Sequence, residues 1–191
     1  MRKKLIIGIW VIATIIMCIG CGLKEEETTK DMVVIELCCE DPDEDMKIIE
    51  ALKKQGYYRD DIPLTYSEQA FLHAACDEFP IDGIDNYALA LSIIWRETNF
   101  ENIACEKEQS YGYMMINSHW AQAEIEKLGI TDLMNPMDNF RVGMCILQEH
   151  ISNLGFEAGV ARYNGSGANA RAYAVDILNK YNEYCDLLKE T

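Results

Sequence analysis

A mainly all-α fold, with at most one small β-hairpin, is what this sequence predicts, and three observations predict it. From Leu64 onward, apolar residues recur with helical spacing in nearly every segment. Strand signals are confined to a short stretch near residues 101 to 113. The chain has 191 residues, 49% of them hydrophobic, and no internal repeat, which suits one well-buried core and one folded domain.

Arg2, Lys3 and Lys4 precede an uncharged apolar run from Leu5 to Leu23. That run is longer than the apolar part of an ordinary export signal and just long enough to span a bilayer, so residues 1–23 read as a signal or a membrane anchor. Basic residues before it and acidic ones after it direct the amino end inward and the remainder outward. Cys18-Ile19-Gly20-Cys21 resembles a bacterial lipoprotein cleavage site, with Cys18 where such sites usually carry Leu. On that reading Cys21 becomes the lipidated first residue; on the other the anchor is kept. Either way the folded part is expected on the extracytoplasmic face of the cell membrane.

Residues 24–62 contain the stretches KEEETTKD and EDPDEDMK and read as an acidic, solvated linker. The run from Asp41 to Asp45 lacks the spacing and glycine of a calcium loop. Residues 48–54 can form a short helix. The folded domain is then placed at residues 63–191. Its first helix is expected from about Ser67, as N-cap, to Phe79, where Pro80 stops it. A central helix follows from about Ile84 to Glu97, apolar on almost every side between Tyr87 and Trp95 and therefore buried by others. After an irregular stretch to Asn117, helices are expected from Ser118 to Gly129, from Asp138 to Asn153 after the Asn135-Pro136 break, and from Ala168 to Leu188.

The net charge of −15 and a pI near 4.5 exclude a nucleic-acid partner, whose phosphates demand a basic surface. Of the eight cysteines, Cys18 and Cys21 belong to the apolar segment, and Cys76 and Cys145 fall on apolar helix faces. Cys38, Cys39, Cys105 and Cys185 remain as candidates for bridges. No CxxC pair with zinc spacing occurs in the folded part and the three His are scattered, so neither a metal nor a cofactor is expected.

Glu97 closes the central helix, YALALSIIWRETNF, and is followed by SYGYMMIN at residues 110–117 and ARYNGSG at residues 161–167. A carboxylate at the end of so apolar a helix is costly to bury in its charged form, and burial raises its pKa. A general acid is made in that way. Arg96 is a poor partner for it, since adjacent helix residues point in different directions.

Taken together, these motifs resemble the lysozyme-like domain of the soluble lytic transglycosylases, a group related to goose-type lysozyme. Glu97-Thr98-Asn99-Phe100 is similar to the family's Glu-Ser-x-Phe, with Thr for Ser. Gly112-Tyr113-Met114-Met115-Ile116 stands where the family has Gly-Leu-Met-Gln-Ile, with Met115 for Gln. Arg162-Tyr163-Asn164-Gly165 matches Ala-Tyr-Asn-Gly but for the first position, and Tyr173, better placed than Tyr181, supplies the tyrosine of the last helix. The likeness covers roughly Leu64 to Tyr184.

The resemblance implies cleavage of the β-1,4 bond between N-acetylmuramic acid and N-acetylglucosamine in the glycan strands of peptidoglycan. Glu97 would protonate the leaving oxygen and then take the proton of the muramic acid 6-hydroxyl, closing a 1,6-anhydro ring. One carboxylate thus does the work that most glycosidases divide between two. Ser110 is expected to bond near Glu97, Gly112 to let backbone approach a sugar, and Tyr113 and Met114 to wall a sugar face, with a core role equally open to Met114. Tyr163 and Asn164 would position Glu97 or an N-acetyl group, and Tyr173 would orient Glu97 through its hydroxyl. Two rival functions stand beside this one: a hydrolytic muramidase with a second carboxylate from the loop, Glu106 or Glu108, or also Glu101, and a non-catalytic glycan-binding or scaffold protein, for which Met115 and Thr98 speak. A tether and a short stalk suit local wall opening, either in ordinary remodelling or for a secretion or conjugation apparatus.

Overall fold

A computed structural model describes residues 49, 50 and 52–190. The apolar segment 1–23, the lipidation candidate Cys21, Cys38, Cys39 and the acidic run 41–45 lie outside the described residues. Contacts divide the chain into two compact units, residues 1–70 and residues 71–191.

In the first unit the side chain of Gln69 is buried and acts as a hub. Its amide nitrogen donates to the carbonyls of Arg59 and Leu64, each at 2.9 Å, and its oxygen accepts the Arg59 N–H at 2.9 Å. Leu52, Ile62 and Leu64 are buried. Buried structure therefore begins ahead of residue 63, within the stretch expected to be linker; a few apolar residues spaced among polar ones show no period to read.

Helix α1 spans Tyr66–Glu78. Its cap is Thr65 and not Ser67. The Thr65 hydroxyl accepts the Glu68 N–H at 3.3 Å, while the Glu68 carboxylate accepts the Thr65 N–H at 2.8 Å. This reciprocal pair is a capping box, in which the Thr-x-x-Glu spacing outweighs the serine inside it.

In the second unit α2 spans Asn86–Thr98, with Asp85 as N-cap accepting the Ala88 N–H at 3.0 Å. Ala88, Leu89, Ala90, Leu91, Ile93 and Ile94 are fully buried, as the all-round apolar pattern requires. Asn99 ends the helix in the left-handed region at φ 51°. A three-stranded antiparallel sheet follows in the order β1 (Ala104–Cys105), β2 (Ser110–Tyr111), β3 (Ile116–Asn117). The expected hairpin is its first two strands. The third lies outside the predicted stretch and consists of two residues, too few for alternation to register.

Helix α3, Gln122–Leu128, starts later than expected. The Asn117 side-chain oxygen accepts the N–H groups of His119 and Trp120, at 3.1 and 3.0 Å, and draws these residues into a turn. Helix α4, Pro136–Leu154, is capped by Asn135, whose oxygen accepts the Met137 N–H at 3.0 Å, and takes Pro136 into its first turn. Helix α5, Phe156–Asn164, is unpredicted. Gly159 sits within α5 because a Cβ there would lie 2.6 Å from Ile151 Cα: it lets α4 and α5 touch backbone to backbone. Helix α6, Ala168–Lys189, packs on α2 and α5.

Cys76 and Cys145 are buried, as their helix faces predict. Cys105 and Cys185, read as candidate bridge partners, carry free thiols on β1 and α6. Among the described residues no helix is long and apolar enough to cross a membrane.

Candidate active site

Glu97 occupies the last turn of α2, where the negative end of the helix dipole offers a carboxylate no support. It is half-buried, and burial raises its pKa above the ordinary carboxyl value, against the opposing pull of the Tyr173 hydrogen bond and the Arg96 charge. Tyr173, on the inward face of α6, donates its phenol to Glu97 Oε1 at 2.6 Å. Burial, reinforced by the Glu97 charge, keeps that phenol protonated well above its usual range, so it remains a donor at any working pH. Tyr181, further along the same helix, instead accepts the Asp85 N–H at 3.1 Å. Arg96 turns away from Glu97 and meets Asp176 of α6 at 3.4 Å.

Two hydroxyls fasten the loop between β2 and β3 around this carboxyl. Thr98 lies within bonding distance of the Tyr113 carbonyl, 2.9 Å, and of the Ile94 carbonyl, 3.1 Å. Tyr163 of α5 donates to the Met114 carbonyl at 2.8 Å. Burial, and then the charge on Glu97, push the Tyr163 phenol well above its ordinary range, which fixes it as a donor as well. Glu97, Tyr163 and Tyr173 thus converge from three helices, while Thr98 ties the end of α2 to the loop.

The loop is also held from below by Asn139, fully buried on α4, which sequence reading passed over. Its oxygen accepts the Met114 N–H at 2.9 Å; its nitrogen donates to the carbonyls of Tyr111 at 2.8 Å and Leu133 at 3.0 Å. The signal for it was a lone amide beside Phe140 on the inward face of an apolar helix. Gly112 serves this same junction. Its φ is +77°, and a Cβ there would run into the Asn139 side chain and come within 2.7 Å of the Leu133 carbonyl. The close approach that demands glycine is therefore to Asn139, with no sugar needed to explain it.

The other candidates fall differently. Tyr113 packs on Phe140, ring centroids 5.4 Å apart, and Met114 is fully buried against Gly143, so both side chains serve the core and not a sugar wall. Met115, half-buried at φ 46°, is the member of the Gly112–Ile116 motif that is not packed away. Ser110 is buried in β2, with its hydroxyl near the Glu108 carbonyl and the Asn117 amide, each at 3.4 Å, and not bonded to Glu97. Asn164 is exposed at the end of α5. Glu101, Glu106 and Glu108 are exposed, and Glu106 accepts the Tyr111 phenol at 3.0 Å on the hairpin. A cavity of about 360 Å³ lies on the far side of Tyr111, lined also by Ser118, Gln122, Asp132 and Met134, and contains none of the candidate residues.

A mainly helical domain with a small antiparallel sheet, its buried central helix ending in a carboxyl gripped by a tyrosine of the last helix, has the architecture of a lysozyme-like glycan-cleaving domain. Residues 83–183, more than half of the chain, match the Transglycosylase SLT domain, and the chain belongs to that family. Its function is of the peptidoglycan lytic transglycosylase type. Neither the curated proteins nor the solved structures yielded a match to the chain.

Proposed function

We propose that this protein cleaves the β-1,4 bond between N-acetylmuramic acid and N-acetylglucosamine in peptidoglycan and leaves 1,6-anhydro-muramic ends, with Glu97 as acid and then base. The observation that carries the reading is the half-buried Glu97 carboxyl held by the Tyr173 phenol at 2.6 Å. Burial favours the protonated form, so Glu97 enters the reaction with the proton it must give. As that proton passes to the glycosidic oxygen, the C1–O bond breaks and the carboxyl becomes a carboxylate. Tyr173 then stabilises the anion by a charge-assisted bond. The carboxylate takes the proton of the 6-hydroxyl as O6 bonds to C1, and Glu97 is restored with no water consumed. Tyr163 and Thr98 hold the loop carbonyls of Met114 and Tyr113, and Asn164, exposed beside Tyr163, is free to meet substrate.

The single-carboxylate scheme is favoured over hydrolysis because the polar groups bearing on Glu97 are a phenol and a guanidinium, while Glu106 is engaged by Tyr111. Retention of a hydroxyl at Thr98 speaks against a degenerate scaffold. Mass spectrometry of digested peptidoglycan decides: anhydro ends support the reading, and reducing ends with an added water remove it. The E97Q variant is expected to release nothing.

For location, the reading is a lipoprotein modified at Cys21 or an uncleaved anchor, acting on the outer face of the cell membrane, supported by the basic start and apolar run of residues 1–23. Such a tether confines wall opening to one place, as a secretion or conjugation apparatus or local remodelling requires. Full complementation of a deletion by the untethered protein would defeat this part.

A further inference from the structure

Three observations converge on one side chain that lies next to Glu97 and does not touch it. The Arg96 guanidinium lies over the face of the Tyr173 ring, 5.7 Å from its centroid. Its Nε meets Asp176 Oδ2 at 3.4 Å, one turn further along α6. Below the guanidinium, the same ring carries the hydroxyl that donates to Glu97 Oε1 at 2.6 Å.

We infer that Arg96 is a positioning residue for the reaction: anchored by Asp176, it clamps the Tyr173 ring from above and so holds the phenol against Glu97. The inference rests on Glu97 being the acid of the proposed function. Tyr173 hangs from α6 and Glu97 from α2, so any sliding of the two helices would lengthen their bond. A guanidinium over an aromatic face within about 6 Å is an attractive contact, and Arg supplies a planar group that stacks. Because Arg96 precedes Glu97 on α2 while Asp176 and Tyr173 share α6, the clamp spans the same pair of helices as the bond it protects. Arg96 and Asp176 are both about half exposed, so the pair adds little to stability by itself. Its effect is local, on geometry and charge.

The consequence for pH follows from the groups that face Glu97. From α6 come Tyr173 and, through Arg96, Asp176; Lys180 lies further on, over the Trp95 ring at 4.9 Å. From α5 comes Tyr163. Arg96 is the cation among them that bears on Glu97, and it holds the Glu97 pKa down against burial. Removing it lets the acid keep its proton to higher pH.

The test uses the full-length chain acting on insoluble peptidoglycan, with rates followed from acid to alkaline pH. R96Q is expected to lower kcat about two- to five-fold and to move the alkaline limb of kcat/KM up by about half a pH unit. In a Y173F background, where no phenol remains to be held, R96Q is expected to leave kcat unchanged. R96K keeps the charge but not the planar group, so its limb stays in place while kcat falls; it also serves if R96Q does not fold. An equal loss of kcat from R96Q in both backgrounds, or a limb coincident with that of the parent protein, overturns the inference while the proposed function stands. Undiminished lysis by E97Q would remove the function itself, whatever Arg96 does.

Discussion

The phenol of Tyr173 donates to Oε1 of Glu97 at 2.6 Å, and 76 residues of chain separate the two. The bond joins the last helix to the central one. It favours the carboxylate in a place where burial favours the acid, so the two influences on Glu97 oppose each other. The proposed role, giving a proton and then holding a negative charge, would draw on both.

Y173F removes the donor and leaves the ring. The Glu97 pKa then rises further, since the influence that lowered it is gone. The alkaline limb of the rate profile on peptidoglycan is expected to move up by about one pH unit, and kcat to fall about ten-fold or more, because a hydrogen bond to a charged group is worth about 1.5–3 kcal/mol. The melting temperature should fall by a few degrees at neutral pH, where the lost bond leaves the carboxylate less well held, and change least in acid. A profile that overlays the parent's would show that the bond does not bear on the acid.

E97Q is expected to abolish lysis and to stabilise the fold at neutral pH. The sign follows from the raised pKa: the folded state holds the Glu97 proton more firmly than the unfolded chain does, so the group's stability contribution is full below its ordinary value of 4.5. It is lost as pH rises through the folded value. Glutamine cannot ionise and escapes that loss. Thermal melts of the two proteins should therefore coincide in acid and separate toward neutrality, with E97Q the higher. A constant separation at every pH would mean that Glu97 ionises freely, and separation in the opposite sense that folding lowers its pKa.

Thr98 tests the loop from the other side. T98V keeps the shape and removes the hydroxyl that lies 2.9 Å from the buried Tyr113 carbonyl. The expected cost is about 1–3 kcal/mol, the penalty for a buried acceptor left unpaired. T98S, which restores the hydroxyl, should cost much less. Urea midpoints read both, and equal midpoints for T98V and T98S would show that the bond contributes nothing.

Most of the fold was legible, and so was the carboxyl. The Tyr87–Trp95 stretch could be recognised as a buried helix because its apolar residues leave no polar face, and Glu97 stood out against it. Asparagine and proline at 135 and 136 marked the start of α4 to within three residues. Helix α5 was hidden because Gly155 and Gly159 look like breaks, while the reason for Gly159 is the backbone of Ile151, which no local pattern encodes. Tyr113, Met114 and Gly112 lie in the loop, but which of their atoms matter depends on Asn139, and that depends on how α4 lies under the loop. A residue type at a spacing can be read from a sequence; the direction a side chain takes from its neighbours cannot.

Asn139 therefore carries a prediction of its own. N139L strips partners from the Met114 N–H and from the carbonyls of Tyr111 and Leu133, all at a fully buried position. An apolar side chain fills the volume and satisfies none of them. A loss of about 2–4 kcal/mol is expected, with lysis falling further than folded fraction alone explains, because the loop that Tyr163 and Thr98 grip would come loose. G112A should fail in the same way, since its φ of +77° and its contact with Asn139 both reject a Cβ. Lysis that tracks the folded fraction in both variants would make the junction purely structural.

His73 gives the fold a pH dependence opposite in sign to that of Glu97. Its ring stacks on Tyr87 with centroids 3.7 Å apart and planes inclined by 12°, and burial lowers its pKa from 6.5 to about 4. The unfolded chain therefore binds a proton that the folded one refuses across that interval. Stability from this group is full above pH 6.5 and drains away as pH falls toward 4. The full effect is about 3 kcal/mol at most, because each tenfold weakening of proton binding corresponds to roughly 1.4 kcal/mol. H73F keeps an aromatic ring for Tyr87 and cannot titrate, so its stability should decline less between neutrality and pH 4 than the parent's. Because the Glu97 contribution runs the other way, H73F measured in the E97Q background isolates the histidine. If the two E97Q proteins, with and without H73F, lose stability in parallel as pH falls, His73 takes up its proton without cost and the burial argument for it fails.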